Sequence, residues 1–284
     1  MRIDRPGLRS AARLLAAGTA MALGTVAATA APAGISENWQ LGMQDMVTTL
    51  GRDVAVFHDW LLLLITLISL FVLALLVICV VRFNERANPT PTRTTHNTTL
   101  EVAWTIVPVL ILVAIAIPSF RVLREQLIIP QHDVVVKATG HSWYWNYEYP
   151  SDQGGFRFDS NMIPEADLKP GQPRLLAADN EMVVPVNKVV RMQITAADVL
   201  HNFAVPSFGI RLDAVPGRLN ETWFQADREG IYYGQCSELC GNGHPYMPIS
   251  VRVVSEADYA AWLAQAKQKY ASTGAVKVAA GNQQ

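Results

Sequence analysis

Cys236, Cys240, His244 and Met247 bring two thiols, an imidazole and a thioether together within twelve residues. Sulfur ligands combined with imidazole favour copper, zinc or iron–sulfur sites. The thioether favours copper over zinc, and structural zinc sites commonly use paired C-x-x-C units, which this sequence lacks. A Cys236–Cys240 disulfide is the competing interpretation, but it leaves His244 and Met247 without a purpose.

The presence of a second cysteine favours a binuclear copper site over a mononuclear one. A mononuclear copper site needs one Cys, whereas two thiolates four residues apart could bridge two copper ions. Each ion would then require a terminal imidazole. His244 is one, and His201, which follows the strand-like run 183–195, is the best candidate for the other. His132 and His141 have less suggestive surroundings.

The sequence around these candidates predicts an all-β domain. Residues 134–136 and 183–195 are rich in β-branched side chains, and turns containing Gly and Pro are frequent. About 120 residues of this kind predict a sandwich or small barrel with its own core. Alternation along residues 141–149 predicts that four aromatic side chains share one strand face: Trp143, Trp145, Tyr147 and Tyr149.

Two uncharged apolar runs, 60–81 and 102–120, are long enough to cross a bilayer as helices. Pro108 and Pro118 in the second run are tolerated in a packed membrane helix. Cys79 lies in the first run, where an inert apolar role is expected.

Charge around the two runs predicts their orientation. The connecting loop carries Arg82, Arg86 and Arg93, whereas residues 31–59 carry one Arg and four acids. The positive-inside rule therefore places the loop in the cytoplasm and both flanks outside. Residues 1–30, with a basic start and an apolar stretch ending in Ala-Thr-Ala, are typical of a signal peptide and predict the same orientation.

The remaining organisation follows from these segments. A short exported segment precedes the hairpin, and a Ser255–Asp258 capping signal opens a C-terminal helix. Residues beyond Tyr270 are expected to be disordered. No phosphate-binding glycine loop and no nucleic-acid signature is found. The predicted units are a signal peptide (1–30), an exported segment (31–59), a membrane hairpin (60–120), a copper domain (130–254), and a C-terminal helix and tail (255–284).

Several long motifs resemble cytochrome c oxidase subunit II. Residues 232–248, YYGQCSELCGNGHPYMP, are similar to the binuclear copper A loop of that family. The segments GHSWYWNYEY (140–149), DVLH (198–201), RLDAVPGRLN (211–220) and WTIVP (104–108) resemble the family as well. The similarity extends over about residues 40–260, and it implies a membrane hairpin with a cupredoxin-like domain.

The resemblance also implies roles for individual residues. Cys236 and Cys240 would bridge the copper ions, with His201 and His244 as terminal ligands. Met247 and the Glu238 carbonyl would be weak ligands. The Glu238 carboxylate would hold magnesium at the boundary with subunit I, which suits a cation that prefers oxygen ligands.

Electron and proton roles follow from the same resemblance. Trp143 would receive the electron from cytochrome c, and Glu101 would stand at the mouth of a proton path. Between residues 130 and 260 there are 16 acids and 10 bases, and this excess would steer a basic partner. The acids that match docking positions of the family are Glu148, Asp179 and Asp198.

The resemblance thus predicts the electron-input subunit of a proton-pumping oxidase in a bacterial inner membrane. Its partners would be subunit I, subunit III, cytochrome c and the bilayer, with no haem on this chain. Quinol oxidase subunit II lacks copper ligands, and nitrous oxide reductase is a soluble enzyme with a His-rich domain. A metal-free module with a disulfide is a third alternative.

Overall fold

The computed structural model describes residues 34–270, so the expected signal peptide and the expected disordered tail lie outside the described residues. In chain order, its helices and strands are α1 (Thr49–Arg82), α2 (Thr98–Leu127), β1 (Val134–His141), β2 (Tyr144–Tyr149), β3 (Phe156–Ser160), β4 (Met182–Pro185), β5 (Val190–Ala196), β6 (His201–Val205), β7 (Ile210–Ala214), β8 (Asn220–Phe224), β9 (Gly230–Cys236), β10 (Pro248–Val254) and α3 (Glu256–Lys269).

Helices α1 and α2 form the predicted hairpin, and both are long and apolar enough to cross a membrane. Each extends beyond its apolar run, and a polar residue caps its first turn. Thr48 accepts a hydrogen bond from the Gly51 amide, and Asn97 accepts one from the Leu100 amide. Both prolines of the second run lie inside α2, so they do not end it.

The strands form two five-stranded sheets, ordered β3-β2-β1-β5-β8 and β4-β10-β9-β6-β7. Pairs β1–β5 and β4–β10 are parallel, and the other neighbouring strands are antiparallel. Inward-facing side chains from both sheets form one core, which confirms the predicted β-sandwich attached to a helical hairpin.

The composition of residues 183–195 suggested a single strand, but the structure has two strands there. A turn at Asn187, whose φ is 58°, divides the run into β4 and β5, which belong to different sheets. Asn tolerates this left-handed conformation better than most residues. The division places β4 beside β10, the strand that follows the candidate metal loop, and places β5 between β1 and β8 in the opposite sheet.

Trp143 does not share the aromatic strand face that alternation predicted. It lies in the turn between β1 and β2, where it is 40% exposed. Trp145, Tyr147 and Tyr149 occupy the buried face of β2 and are completely buried. The turn shifts the alternation, so Trp143 is directed away from the core and towards the candidate metal loop.

The segment before α1 ties the hairpin to the β-sandwich. The Val47 amide donates to the Ser207 carbonyl at 2.9 Å, and the Thr48 hydroxyl donates to the Phe208 carbonyl at 2.7 Å. Gly209, at φ 69°, lies against Gly51 so closely that an added Cβ would overlap its backbone. These contacts fix the position of the β-sandwich relative to the start of α1.

Candidate metal centre

The candidate ligands come from one strand start and one loop of the same sheet. His201 begins β6, Cys236 ends β9, and Cys240 and His244 follow in the loop that leads to β10. Pairing of β6 with β9 brings His201 beside Cys236. The Cys236 amide donates to the Met247 carbonyl at 3.0 Å, which closes the base of the loop.

The sulfur and nitrogen atoms of the predicted ligands converge. The two Sγ atoms of Cys236 and Cys240 are 3.8 Å apart, far longer than the roughly 2.05 Å of a disulfide. His201 Nδ1 lies 3.9 Å from Cys236 Sγ, and His244 Nδ1 lies 3.6 Å from Cys240 Sγ. The arrangement is two free thiols in the middle with one imidazole on each side.

The weaker predicted ligands lie around this group. The Glu238 carbonyl oxygen is 3.3 Å from Cys236 Sγ, while the residue as a whole is exposed. Met247 is fully buried at the base of the loop. His201 is also fully buried, whereas His244 is only half-buried. One side of the group therefore faces the core and the other approaches solvent.

Burial and hydrogen bonding separate the two thiols. Burial alone would raise the pKa of Cys236, but hydrogen bonds with the His201 ring and with the backbone at Asn202 and Glu238 lower it to about 6. Burial and then the neighbouring Cys236 charge raise the pKa of Cys240 to about 12. The surroundings therefore favour ionisation of Cys236 and oppose ionisation of Cys240, because two adjacent thiolates repel each other.

Asp198 fixes the orientation of the buried imidazole. Its Oδ1 lies 2.9 Å from His201 Nε2, which leaves Nδ1 directed at Cys236. Burial opposes ionisation of Asp198, but hydrogen bonds from His201, Val199 and Ser142 outweigh it and hold the pKa of the carboxyl well below its usual range. Burial also opposes protonation of His201, yet contacts with Cys236 and Asp198 raise its pKa. Carboxylate support of this kind is common behind metal-binding histidines.

This set of donors suits a soft metal ion. Two thiols and one imidazole, those of Cys236, Cys240 and His201, have ligand atoms within 4.8 Å of one another. Thiolate with imidazole fits copper or zinc, and the buried thioether of Met247 adds a ligand type that structural zinc sites rarely use. The chemistry of the donors thus fits a copper site.

Trp143 lies directly over the loop. Its indole Nε1 donates to the Cys240 carbonyl at 3.0 Å, and its ring packs against Gly241 and Gly243. A side chain at Gly243 would collide with the ring. The half-exposed indole therefore connects the protein surface with the backbone of a candidate ligand.

The three predicted docking acids have different surroundings. Asp198 and Asp179 are exposed, although Asp179 also accepts a hydrogen bond from the Asn161 amide. Glu148 is only 7% exposed and pairs with Lys137 at 2.9 Å. Glu148 lies on the face of β2 opposite to the core aromatics, between Lys137 and Arg157 of the two neighbouring strands, so little of its side chain is accessible to a partner.

Glu101 lies far from the candidate metal ligands along the chain, in the first turn of α2. Its Oε1 accepts a hydrogen bond from the Asn97 amide, while the Asn97 side chain accepts one from the Leu100 amide. The two residues form a reciprocal cap. This contact is a structural role that the sequence prediction did not include.

Two supporting positions were also missed from the sequence. Asp198 was assigned to docking, although its spacing of three residues from His201 is compatible with a contact between the two side chains. Gly140 interrupts a β-branched strand, and an added Cβ there would come within 2.8 Å of the His201 ring. A glycine inside a strand often marks such a close approach.

Comparison with known families gives two matches. The family model described as cytochrome c oxidase subunit II, periplasmic domain, matches residues 134–254. The model of the transmembrane domain of the same subunit matches residues 36–122. Together they extend over the hairpin, the β-sandwich and the candidate metal loop.

Individual proteins give the same result. A probable cytochrome c oxidase subunit 2 of Rickettsia bellii is 50% identical over 83% of this chain and 87% of its own length. The subunits 2 of Cereibacter sphaeroides and Zea mays are 47% and 50% identical, over 87% and 80% of this chain and 89% and 90% of their own lengths. The crystallised periplasmic domain of subunit II from Bradyrhizobium japonicum is 57% identical, with a TM-score of 0.47 over 50% of this chain and 99% of that structure.

Proposed function

Because the chain belongs to the cytochrome c oxidase subunit II family, we propose that it holds a binuclear copper A centre that receives electrons from cytochrome c. The observation that carries the proposal is the pair of free thiols, 3.8 Å apart and flanked by two imidazoles. As a member of this family, the chain is a subunit of a haem-copper oxidase. Its proposed role within that complex is to receive electrons.

The distances around the two thiols support the ligand set. Two thiols at the centre are suited to bridging, and each has its own imidazole with Nδ1 facing the sulfur. A buried thioether and a backbone carbonyl complete the set as weak ligands. The proposed ligands are His201, Cys236, the Glu238 carbonyl, Cys240, His244 and Met247.

When bound, copper A supplies a one-electron carrier between cytochrome c and the haem of subunit I, where oxygen is reduced and protons are pumped. The protein's own part is to hold the ligands in place. Asp198 keeps Nε2 of His201 engaged, and the β6–β9 pairing fixes Cys236. Burial of His201 and Met247 excludes water from the inner side. A supported ligand shell of this kind favours fast electron transfer because it limits rearrangement.

Trp143 is the proposed point where the electron arrives. Its exposed ring edge can contact a partner, and its indole is hydrogen-bonded to the backbone of a proposed ligand. The acidic excess of the domain would attract a basic cytochrome c, with Asp179 and Asp198 as exposed contributors. The burial and Lys137 pairing of Glu148 make it the weakest of the three docking candidates.

Contacts with the rest of the oxidase are also proposed. The exposed Glu238 carboxylate would contribute to a magnesium ion shared with subunit I, and Glu101 would stand at a proton path into that subunit. The β-sandwich and both termini would lie on the periplasmic side of a bacterial inner membrane, with subunit III in the same complex. The signal peptide 1–30 would be removed and the unit 255–284 would remain exported.

Metal loading of the full-length chain in detergent tests the centre. With equal amounts of copper(I) and copper(II) added, two coppers per chain, a purple colour and a seven-line EPR signal from one unpaired electron shared between two copper nuclei are expected. The variant Cys240→Ser should lose all three, while Asp179→Asn, which changes an exposed carboxylate that contacts Asn161, should keep them. A single copper or a zinc ion per wild-type chain would instead indicate a mononuclear site. No metal together with an oxidised thiol pair would indicate the disulfide module.

A further inference from the structure

A groove with apolar walls runs along the outer end of the hairpin. Its lower part, about 380 Å³, lies between α1 and α2 and is walled by Phe57, Trp60, Pro118 and Val122. Its upper part, about 440 Å³, lies between the end of α2 and the β-sandwich, and its walls are Ile128, Pro130 and Trp223. Arg121 and Glu125 line both parts, so the two are continuous.

The groove lies at the level where hydrocarbon gives way to lipid headgroups. The apolar run 102–120 would span about 28 Å as a helix, close to the roughly 30 Å of a bilayer core. Arg121 is the first charge after that run, and Trp60 is the first residue of the other run. Both line the same lower part of the groove, which places it at the boundary where Trp is enriched.

Two guanidinium groups stand at this boundary. Arg121 and Arg124 are three positions apart on α2 and therefore lie on neighbouring parts of its surface. Arg121 pairs with Glu125 at 3.1 Å, but its side chain is 82% exposed, and an exposed pair of this kind is weak. Among residues 34–270 the structure gives Arg124 no carboxylate partner. Both cations are therefore available to an anion that reaches the groove.

We propose that this groove binds a membrane glycerophospholipid, with its phosphodiester on Arg121 and Arg124 and an acyl chain along the lower apolar walls. Guanidinium groups suit phosphate oxygens because they donate planar, paired hydrogen bonds. Asp53 and Glu125 line the same groove and balance the two cations, which favours a zwitterionic phosphoethanolamine headgroup over an anionic one. The indole Nε1 of Trp223 donates to the Glu125 carbonyl at 3.1 Å, so the bound lipid would lie beside the contact between β-sandwich and membrane helix.

Native mass spectrometry of the assembled oxidase tests the proposal without reference to its copper content. The double variant R121Q/R124Q is expected to retain the lipid with at least about tenfold lower affinity. The matched control is Arg86→Gln, an exposed arginine at the other end of the hairpin, which should retain as much lipid as wild type. Excess inorganic phosphate should not displace the lipid, since it cannot use the apolar walls. Equal lipid retention by the double variant and wild type would overturn the proposal.

Photo-crosslinking of the wild-type complex avoids dependence on variants that fail to assemble. Phosphatidylethanolamine with a photoreactive acyl chain is expected to label peptides containing Phe57 or Val122 above the level found elsewhere on the hairpin. An anionic phosphatidylglycerol probe should label them less. If another subunit fills the groove, those peptides will instead remain unlabelled while R121Q/R124Q weakens subunit association, and this result would also overturn the proposal.

Discussion

The indole of Trp143 and the backbone of Cys240 are joined by a hydrogen bond of 3.0 Å from Nε1 to the carbonyl oxygen. The bond links a half-exposed ring to a buried thiol loop, and two glycines of that loop leave room for the ring. Residues from opposite sheets of the sandwich meet here, because Trp143 precedes β2 and Cys240 follows β9. The contact therefore links the protein surface directly to the backbone of a proposed ligand.

Replacing Trp143 by Phe should slow electron input while leaving the copper spectrum intact. The variant keeps an aromatic ring but loses the hydrogen bond to Cys240, which should change folding stability by only about 1 kcal/mol. Stopped-flow reduction by cytochrome c at fixed ionic strength measures the rate. Trp262→Phe is the matched control, since Trp262 packs on Tyr149 and Phe156 away from the loop. Equal rates for the two variants would remove Trp143 from the electron path.

Replacing Asp198 by Asn should weaken metal binding. The amide keeps the shape of the side chain but loses the negative charge that supports His201, and loss of such support typically costs about 10–100-fold in metal affinity. Competition with a copper chelator measures the change. Asp179→Asn also removes an exposed charge, but one that contacts Asn161, so it should alter only the salt-dependent KM for cytochrome c. If both variants raise KM and neither alters copper affinity, Asp198 acts in docking alone.

Much of the candidate site could be predicted because its ligands are local in the chain. Cys236, Cys240, His244 and Met247 lie on one loop, so their types and spacing already indicate a soft metal. His201 is 35 residues away from Cys236, and only the antiparallel β6–β9 pairing explains why the two meet. The hairpin was predictable for a similar reason, since an apolar run of sufficient length has few alternatives.

The errors arose where side-chain direction depends on turns. Alternation assigned Trp143 to a buried face, but the turn before β2 interrupts the period and directs it outwards. Composition alone could not place the turn at Asn187 that separates β4 from β5. The docking role that the resemblance implies for Glu148 stays a prediction, although its pairing with Lys137 across β1 and β2 buries most of its side chain.

The junction between helix and sandwich should be sensitive to one added methyl group. Gly209→Ala would strain a backbone at φ 69° and also collide with the Gly51 backbone. Strain alone costs on the order of 1 kcal/mol, and the collision should add to it. Gly171→Ala is the matched control, because Gly171 has φ 88° but nothing within 4 Å of an added Cβ. Thermal unfolding should therefore show a lower Tm for Gly209→Ala than for Gly171→Ala. Equal Tm values would show that the backbone at Gly51 accommodates the added methyl group without loss of stability.

The β-sandwich should lose the stabilisation that ionised Glu221 provides when the solution becomes acidic. Burial opposes its ionisation, but hydrogen bonds from Arg191 and Gln193 outweigh burial and lower the carboxyl pKa below the ordinary value of 4.5. The unfolded chain therefore binds the proton more readily, so this stabilisation is complete above about pH 4.5 and is lost as pH falls through the folded pKa.

Glu221→Gln should lower stability by about 1–2 kcal/mol at pH 7 and flatten the acid dependence. Urea unfolding between pH 3 and 7 measures both effects. Glu165→Gln, which breaks the exposed pair with Arg174, should leave stability almost unchanged because exposed ion pairs contribute little.

Glu101 has a capping contact and a proposed role in proton uptake, and conservative substitutions can separate the two. Its carboxylate accepts from the Asn97 amide, and Gln retains an oxygen that can do the same. Glu101→Gln should therefore leave helix α2 and assembly of the complex intact, while removing the group that a proton path requires.

Proton uptake by the reconstituted oxidase distinguishes these roles. Glu101→Gln is expected to slow uptake from the cytoplasmic side with unchanged assembly. Asn97→Ala removes the cap on the Leu100 amide instead, so it should cost about 1 kcal/mol of stability and leave uptake per assembled complex unchanged. If Glu101→Gln takes up protons at the wild-type rate, the carboxylate serves only to cap the second membrane helix.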